Sequence, residues 1–243
     1  MGKFSVSRIG TSGGNCLRMP VFEKLQLWVD PVRRAGPEAM AVDEWLLETA
    51  ACPVLRVYSW EGNWASLGYF GKIAEARLSF PELNLVRRWT GGGIVDHRAD
   101  WTYTLVAPQR EMLAKLRGAE SYRIVHEILN QLLDEEGIVS RMSEGCEETG
   151  AGLCFENPVG HDLLGVNGYK LAGAGQRRSK SGLLHQGSVA ISGGNPLISR
   201  KRSENFASLL SQKWEVFTAQ PDPADLAARV DCRYARREWT ERR

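Results

Sequence analysis

Apolar and polar positions roughly alternate from Val21 to Val29, the two-residue period of a strand with one buried face. Pro37 then opens a predicted helix over 37–50, in which Met40, Trp45, Leu46 and Leu47 supply the apolar contacts. Proline suits the first helical position because its missing N–H would have no partner there. Val54–Trp60 is rich in β-branched and aromatic residues, and Ala65–Phe70 is predicted to pair with it across a turn at Glu61-Gly62-Asn63. Further strands are expected at Leu83–Arg87 and Trp101–Ala107. Between Glu120 and Glu136, the residues Tyr122, Val125, Ile128, Leu129, Leu132 and Leu133 recur at spacings of three and four, a helical period. Gly137 stands where a left-handed C-terminal cap belongs.

Beyond that helix the pattern changes. Residues 145–194 hold 12 of the chain's 25 glycines, separated by short apolar strands such as Val189–Ile191. Such a density marks tight turns and places where backbone approaches backbone or ligand. Ser203–Ser211 and Ala224–Val230 read as closing helices. Arg229–Arg243 carries six arginines in fifteen residues and reads as a solvated tail, and residues 1–20, rich in Ser and Gly, read as a mobile leader. Residues 21–243 then form a single domain. Strands outnumber helices and come in runs, so an α+β fold is expected rather than a regular βαβ array.

Composition narrows the function classes. In 243 residues, 31 Lys and Arg against 29 Asp and Glu leave a formal charge of +2, so no whole-molecule field favours a nucleic-acid backbone. The five cysteines, Cys16, Cys52, Cys146, Cys154 and Cys232, are odd in number and never spaced Cys-x-x-Cys, which argues against a disulfide framework and a zinc site. Free thiols suit a reducing compartment, and with no apolar run of roughly 18 residues and no signal-peptide pattern the expected location is cytoplasmic, with no membrane partner.

Three constellations could carry chemistry. In Arg87-Arg88-Trp89-Thr90-Gly91-Gly92-Gly93, followed by His97, the glycines uncover backbone N–H groups and the arginines offer donors to a carboxylate or phosphate. A flexible turn beside two surface arginines explains the same residues. Neither a P-loop nor a dinucleotide fingerprint is present. Lys170 lies within Gly168-Tyr169-Lys170-Leu171-Ala172-Gly173-Ala174-Gly175-Gln176-Arg177, where small neighbours leave room for a substrate chain, or for the lysine to snorkel out of a strand. The downstream run Leu184-His185-Gln186-Gly187-Ser188 belongs with it. Cys154, in Leu153-Cys154-Phe155-Glu156, has fewer acidic neighbours than Cys146, and the other four cysteines read as small buried hydrophobes.

Taken in order, Arg-Arg-x-Thr-Gly-Gly-Gly with its following His, Gly-x-Lys-x-x-Gly-x-x-Gln-x-Arg, and Leu-x-x-Gly-Ser resemble the lipoate–protein ligase and octanoyltransferase family, whose wider group includes biotin protein ligase catalytic domains. The resemblance begins at Met40-Ala41-Val42-Asp43-Glu44-Trp45 and covers roughly residues 37–192. It implies a mixed β-sheet with flanking helices; the roughly fifty residues that follow the matched core are short for the accessory C-terminal domain that ligases of the family usually carry, so no full accessory domain is expected. Cys154-Phe155-Glu156 ahead of Lys170 looks like the cysteine-dependent octanoyltransferase class. By that resemblance Cys154 and Lys170 are catalytic, and Arg87, Arg88, Thr90, Gly91, Gly92, Gly93, His97, Gly173, Gln176, His185 and Gly187 bind substrate.

The implied reaction moves an octanoyl or lipoyl group from acyl carrier protein or another thioester, through a Cys154 acyl-enzyme, to the lysine of a lipoyl domain. Acceptors would be the glycine cleavage H protein or 2-oxoacid dehydrogenase subunits. No cofactor is needed, because exchange between thioesters is nearly balanced and amide formation runs downhill. Transfer between two lipoyl domains would use the same apparatus. The ligase-like glycine loop favours instead an ATP- and Mg-dependent lipoate ligase, with Cys154 as packing. A silent lipoate-binding module is the third reading. Gln186 stands where a histidine is common in the family.

Overall fold

The computed structural model describes residues 20–145, 159–191 and 196–242. In chain order it runs β1 (Phe22–Val29), α1 (Gly36–Thr49), β2 (Val54–Tyr58), β3 (Trp64–Leu67), α2 (Ile73–Ser79), β4 (Asn84–Arg87), β5 (Ile94–Asp96) and β6 (Trp101–Pro108). There follow α3 (Met112–Lys115), α4 (Gly118–Glu135), β7 (Ser140–Met142), β8 (Leu163–Gly165), β9 (Lys170–Ser179), β10 (Gly182–Val189), α5 (Pro196–Leu210) and β11 (Ser211–Val216). The chain closes with α6 (Pro223–Arg229), a π-helical turn over Val230–Tyr234, and α7 (Arg237–Thr240).

The strands form an eight-stranded sheet ordered β11-β1-β2-β6-β10-β9-β8-β7 and a three-stranded sheet ordered β4-β3-β5. Pairing is parallel at β11–β1–β2 and antiparallel from β2 through to β7, so the large sheet is mixed. The residues explain which face each layer takes. In β6, Trp101, Tyr103, Leu105 and Ala107 point to one side with Leu55, Val57, Leu183 and Val189. On that side α4 and α5 cover them with Val125, Leu129, Leu132, Phe206 and Leu210. Alternate residues Thr102, Thr104 and Val106 face the other way, toward α1 and the small sheet. The apolar stripe of α4 thus buries against the sheet, and Gly137 ends it at φ +74°, with Ile138 N–H returning to the Leu133 carbonyl at 2.8 Å.

Several expectations need correction. Val54–Trp60 and Ala65–Phe70 do not form a hairpin: β2 enters the large sheet between β1 and β6, whereas β3 sits in the small sheet between β4 and β5. Within the glycine-rich region the described residues form the short β8 and one long β9–β10 hairpin with strands of 10 and 8 residues, and the strand expected at Val189–Ile191 ends at Val189. The helix expected at Ser203–Ser211 begins at Pro196, and Ser211 opens an edge strand, β11. The C-terminal residues are no solvated tail. Tyr234 is buried, and the fully buried Arg87 donates to the carbonyls of Trp239, Thr240 and Arg242. Nor are Cys52 and Cys232 buried hydrophobes, since the first is half-buried and the second exposed. Residues 1–19 and Cys16, Cys146 and Cys154 lie outside the described residues. Among those described, no helix is long and apolar enough to cross a membrane.

Candidate active site

A cavity of about 130 Å³ lies between the α1-side face of the large sheet and the small sheet. That is close to the roughly 150 Å³ of an apolar cavity known to hold a benzene-sized guest. Strand register lays out its floor. Gly173 of β9, Ser188 of β10, Thr102 of β6 and Tyr58 of β2 are consecutive cross-strand partners, so they form one row across four strands. At about 4.8 Å per strand the row is about 14 Å long. Gly92, Gly93, Ile94 and Val95 supply the roof, and Met40, Trp60, Ser66 and His97 line the far end.

Lys170 lies at the near end. Its side chain arches back over Gly173, where a Cβ would stand 2.3 Å from Lys170 Cε and 2.6 Å from Nζ. A side chain at 173 would therefore displace the ammonium from this place. The ammonium pairs with Asp162 Oδ2 at 2.9 Å, and the Asp162 side chain is fully buried. Two further donors hold this carboxylate: the Val159 N–H on Oδ2 at 2.8 Å and the Tyr122 hydroxyl on Oδ1. Tyr122 reaches from α4 and also accepts the Ala174 N–H at 2.8 Å. Burial, and then the Asp162 charge, push the Tyr122 phenol well above its ordinary value, so it remains a donor.

A second polar string crosses the cavity. Arg88 Nη1 donates to Ser66 Oγ at 2.8 Å, Ser66 Oγ lies 2.7 Å from His97 Nε2, and His97 Nδ1 lies 2.8 Å from Asp100 Oδ2. Ser188 Oγ and Thr102 Oγ1 donate to the same Asp100 oxygen at 2.6 and 2.9 Å. The pattern resembles a Ser-His-Asp triad, which is recognised by geometry and roles rather than sequence position. Here Ser66 is fully buried and its oxygen already accepts from Arg88, so it is a poor nucleophile. The chemical effect is different. Asp100 gathers the hydroxyl and imidazole donors, turning them away from the cavity and leaving a wall suited to an apolar chain.

The site residues expected from sequence fall into three places. Lys170, Gly173, Gly187, Gly92, Gly93, Arg88 and His97 line the cavity. Arg88 does so while its Nη1 and Nη2 donate to Ser66 O and Oγ and to the carbonyls of Gly91 and Gly93, which fixes the loop. Thr90 and Gly91 support the cavity from behind; Gly91 O lies 2.3 Å from where a Cβ on Gly175 would be, which keeps residue 175 a glycine. Arg87, Gln176 and His185 are not in the cavity. Arg87 ties the carbonyls of Gly68, Tyr69 and Gly71 to the C-terminal segment. His185 and Gln176 are cross-strand partners on the opposite face, with Gln176 Nε2 2.9 Å from His185 Nδ1 and Tyr103 Oη 3.2 Å from His185 Nε2. Burial, with help from His126 and Arg178, depresses the His185 pKa well below the histidine range, so this imidazole stays neutral. Cys154 lies outside the described residues.

Sequence reasoning missed Asp162, Tyr122, Ser66, Asp100, Asp43 and Gln186 as site-forming residues. Gln186, Asp43 and Ser66 carried a signal, their places in or beside the family motifs; Asp162, Tyr122 and Asp100 carried none. Among the described residues no cluster of His, Cys, Asp and Glu could hold a metal.

The chain has known relatives in sequence and in fold. The family model of the lipoyl protein ligase A/B catalytic domain matches residues 36–231. The octanoyltransferase LipM of Carboxydothermus hydrogenoformans is 35% identical over 181 residues, covering 69% of this chain and 66% of that protein. Its Bacillus subtilis counterpart is 30% identical over 169 residues, covering 63% and 60%. The aligned part of this chain thus spans somewhat under two thirds of these curated relatives. Among solved structures, a lipoate-protein ligase A bound with ATP matches with a TM-score of 0.67 at 18% identity, over 90% of this chain and 98% of that one. A bi-partite lipoate protein ligase from Thermoplasma acidophilum matches with a TM-score of 0.64 at 16% identity, over 90% and 96%. Both share the mixed sheet and flanking helices. With the family model matching most of its length, the chain belongs to the lipoyl protein ligase A/B catalytic domain family.

Proposed function

We propose that this chain is a cysteine acyltransferase that moves an octanoyl group from a carrier-bound thioester to the lysine of a lipoyl domain. The observation that carries the reading is the Lys170 ammonium, held over Gly173 by buried Asp162 at the end of a cavity suited to an apolar chain. The relatives named octanoyltransferase support the same chemistry, and the Thermoplasma ligase described with its E2 lipoyl domain supports the acceptor class.

The Cys154 thiolate attacks the thioester carbonyl; a carbon–sulfur bond to Cys154 forms, the bond to the carrier sulfur breaks, and the carrier leaves as its thiolate. The acceptor lysine, as its free amine, then attacks the acyl-enzyme. An amide forms, Cys154 leaves as thiolate, and the amine proton passes to solvent. Lys170 favours the thiolate and orients the carbonyl. Neither step consumes ATP, because each thioester supplies the driving force for the next bond. The acyl carrier protein is the proposed donor. His97, held by Ser66 and Asp100, positions the cavity wall and takes no proton in this scheme.

The test is intact-protein mass spectrometry after incubation with octanoyl-acyl carrier protein, without ATP, for wild type and Cys154→Ser. A hydroxylamine-labile octanoyl adduct confined to the wild type is expected. No adduct, together with pyrophosphate release from ATP in the presence of lipoate, would replace the transferase reading with the ligase.

A further inference from the structure

Gln186 sits on the cavity face of β10, opposite Gly175 on β9, and is buried. Its amide joins two elements that share no covalent neighbourhood. Oε1 accepts from Thr90 Oγ1 at 2.7 Å, at the start of the glycine loop. Nε2 donates to Asp43 Oδ2 of α1 at 2.6 Å and lies 3.4 Å from Met40 Sδ. Asp43 is itself fixed by Arg56 Nη1 on Oδ1 at 2.7 Å, and by Thr104 Oγ1 and the Tyr58 hydroxyl on Oδ2 at 2.8 and 3.4 Å. Arg56 is shared with Asp30. Among the described residues, the other charged or titratable side chains lining this cavity are Arg88 in the loop, His97 and Lys170 over Gly173.

The loop's remaining bonds come largely from its own small sheet. Tyr69 N–H donates to Thr90 O at 2.8 Å, Gly68 N–H to Gly93 O at 3.1 Å, and Arg88 to the Gly91 and Gly93 carbonyls. Toward β9 the Gly91 N–H to Gln176 O bond is long, at 3.5 Å. The short Thr90–Gln186 bond therefore ties the loop to the large sheet.

We propose that Gln186 is a positioning residue that holds the Thr90–Gly93 loop as the roof of the acyl cavity, and that the position requires a neutral group able to accept from Thr90 while donating to Asp43. This rests on the acyl-transfer reading for the meaning of the cavity, though not for the loop contact. An ionised carboxylate at 186 could accept from Thr90 but would meet Asp43 as a like charge without a proton to donate. The same carboxyl, once protonated, would satisfy both partners.

Gln186→Glu therefore gives a pH-dependent defect. At pH 8, backbone amides over residues 88–95 should exchange with deuterium about tenfold or more faster than in the wild type, and KM for the octanoyl donor should rise by a similar factor, with a smaller effect on kcat. Below about pH 5.5 both should return to within about threefold of the wild type at the same pH, as the two carboxyls come to share a proton. Gln186→Met keeps the packing against Met40 and loses both hydrogen bonds, so it should show the loosened loop and raised KM at every pH. It also decides the matter if the glutamate variant does not fold. Wild-type exchange and KM in Gln186→Met, or a Gln186→Glu defect that persists unchanged at acid pH, would overturn the proposal. Loop exchange that responds as stated in a protein whose wild type forms no octanoyl adduct would uphold the positioning role and discard the acyl-transfer reading.

Discussion

Replacing Lys170 by Met separates the catalytic from the structural work of the buried pair at the cavity. Methionine matches much of the lysine stem but removes the ammonium that lies 2.9 Å from Asp162 Oδ2. Asp162 then remains fully buried with two donors, Val159 N–H and the Tyr122 hydroxyl. Breaking a buried ion pair from one side costs about 3–5 kcal/mol. The surviving donors, and the 13% exposure of the Lys170 side chain, place the cost at the low end, about 3 kcal/mol. For a chain of this length that lowers Tm by about 6–12 °C.

The double variant Lys170→Met/Asp162→Asn removes the orphaned charge while keeping an acceptor for Tyr122, and should recover to within about 1 kcal/mol of the wild type. Octanoyl transfer should be lost in both. Urea unfolding with a two-state fit, beside the adduct assay, measures each quantity. A Lys170→Met protein as stable as the wild type would refute the buried-pair argument. So would a double variant no more stable than the single.

Two further outcomes follow from the packing. His126 is fully buried, its Nδ1–H is given to the His161 carbonyl at 2.7 Å, and burial lowers its pKa to about 4 from the ordinary 6.5. The unfolded chain therefore takes up a proton that the folded one refuses, so stability should fall by about 3 kcal/mol as pH drops from about 6.5 to about 4. His185, shifted in the same direction, adds to the loss. A His126→Gln variant should lose less over that window in urea titrations, and an equal loss would show that the burial of this ring is not responsible. Arg87→Met removes the donor to the carbonyls of Trp239, Thr240 and Arg242. Trypsin should then cut within 229–242 at least about tenfold faster than in the wild type while the rest of the chain resists, because local opening sets the cleavage rate. Unchanged cleavage would mean that the segment's other ties, among them the cation–aromatic contacts of Arg233 and Arg242 with Trp89 and Tyr69 and the Arg233–Glu44 pair, hold it without Arg87.

Much of this protein is written locally along the chain. The alternation in Val21–Val29 and Trp101–Ala107 and the three-and-four spacing in Glu120–Glu136 fix conformation through neighbouring residues, and those elements stand nearly where the pattern places them. The ordered motifs carried the family, and the mixed sheet with its flanking helices came with it. Gly173 and Gly175, noticed in sequence as small residues beside Lys170, keep their meaning in space, as the gaps that seat an ammonium and a loop carbonyl.

What the tertiary structure alone decided concerns partners and faces. β2 and β3 are close in sequence with strand-like composition, yet they belong to different sheets, because pairing is chosen by distant strands rather than by a short linker. Gln176 and His185 belong to the same motifs as Lys170 and Gly187, but the two-residue period of the hairpin turns their side chains to the opposite face. Asp162, Tyr122 and Lys170 come from a loop, a helix and a strand, and Asp43, Thr90 and Gln186 are equally scattered. No spacing rule links them, since a buried charge finds its partner through the fold's whole geometry and becomes recognisable only when desolvation makes the partner necessary.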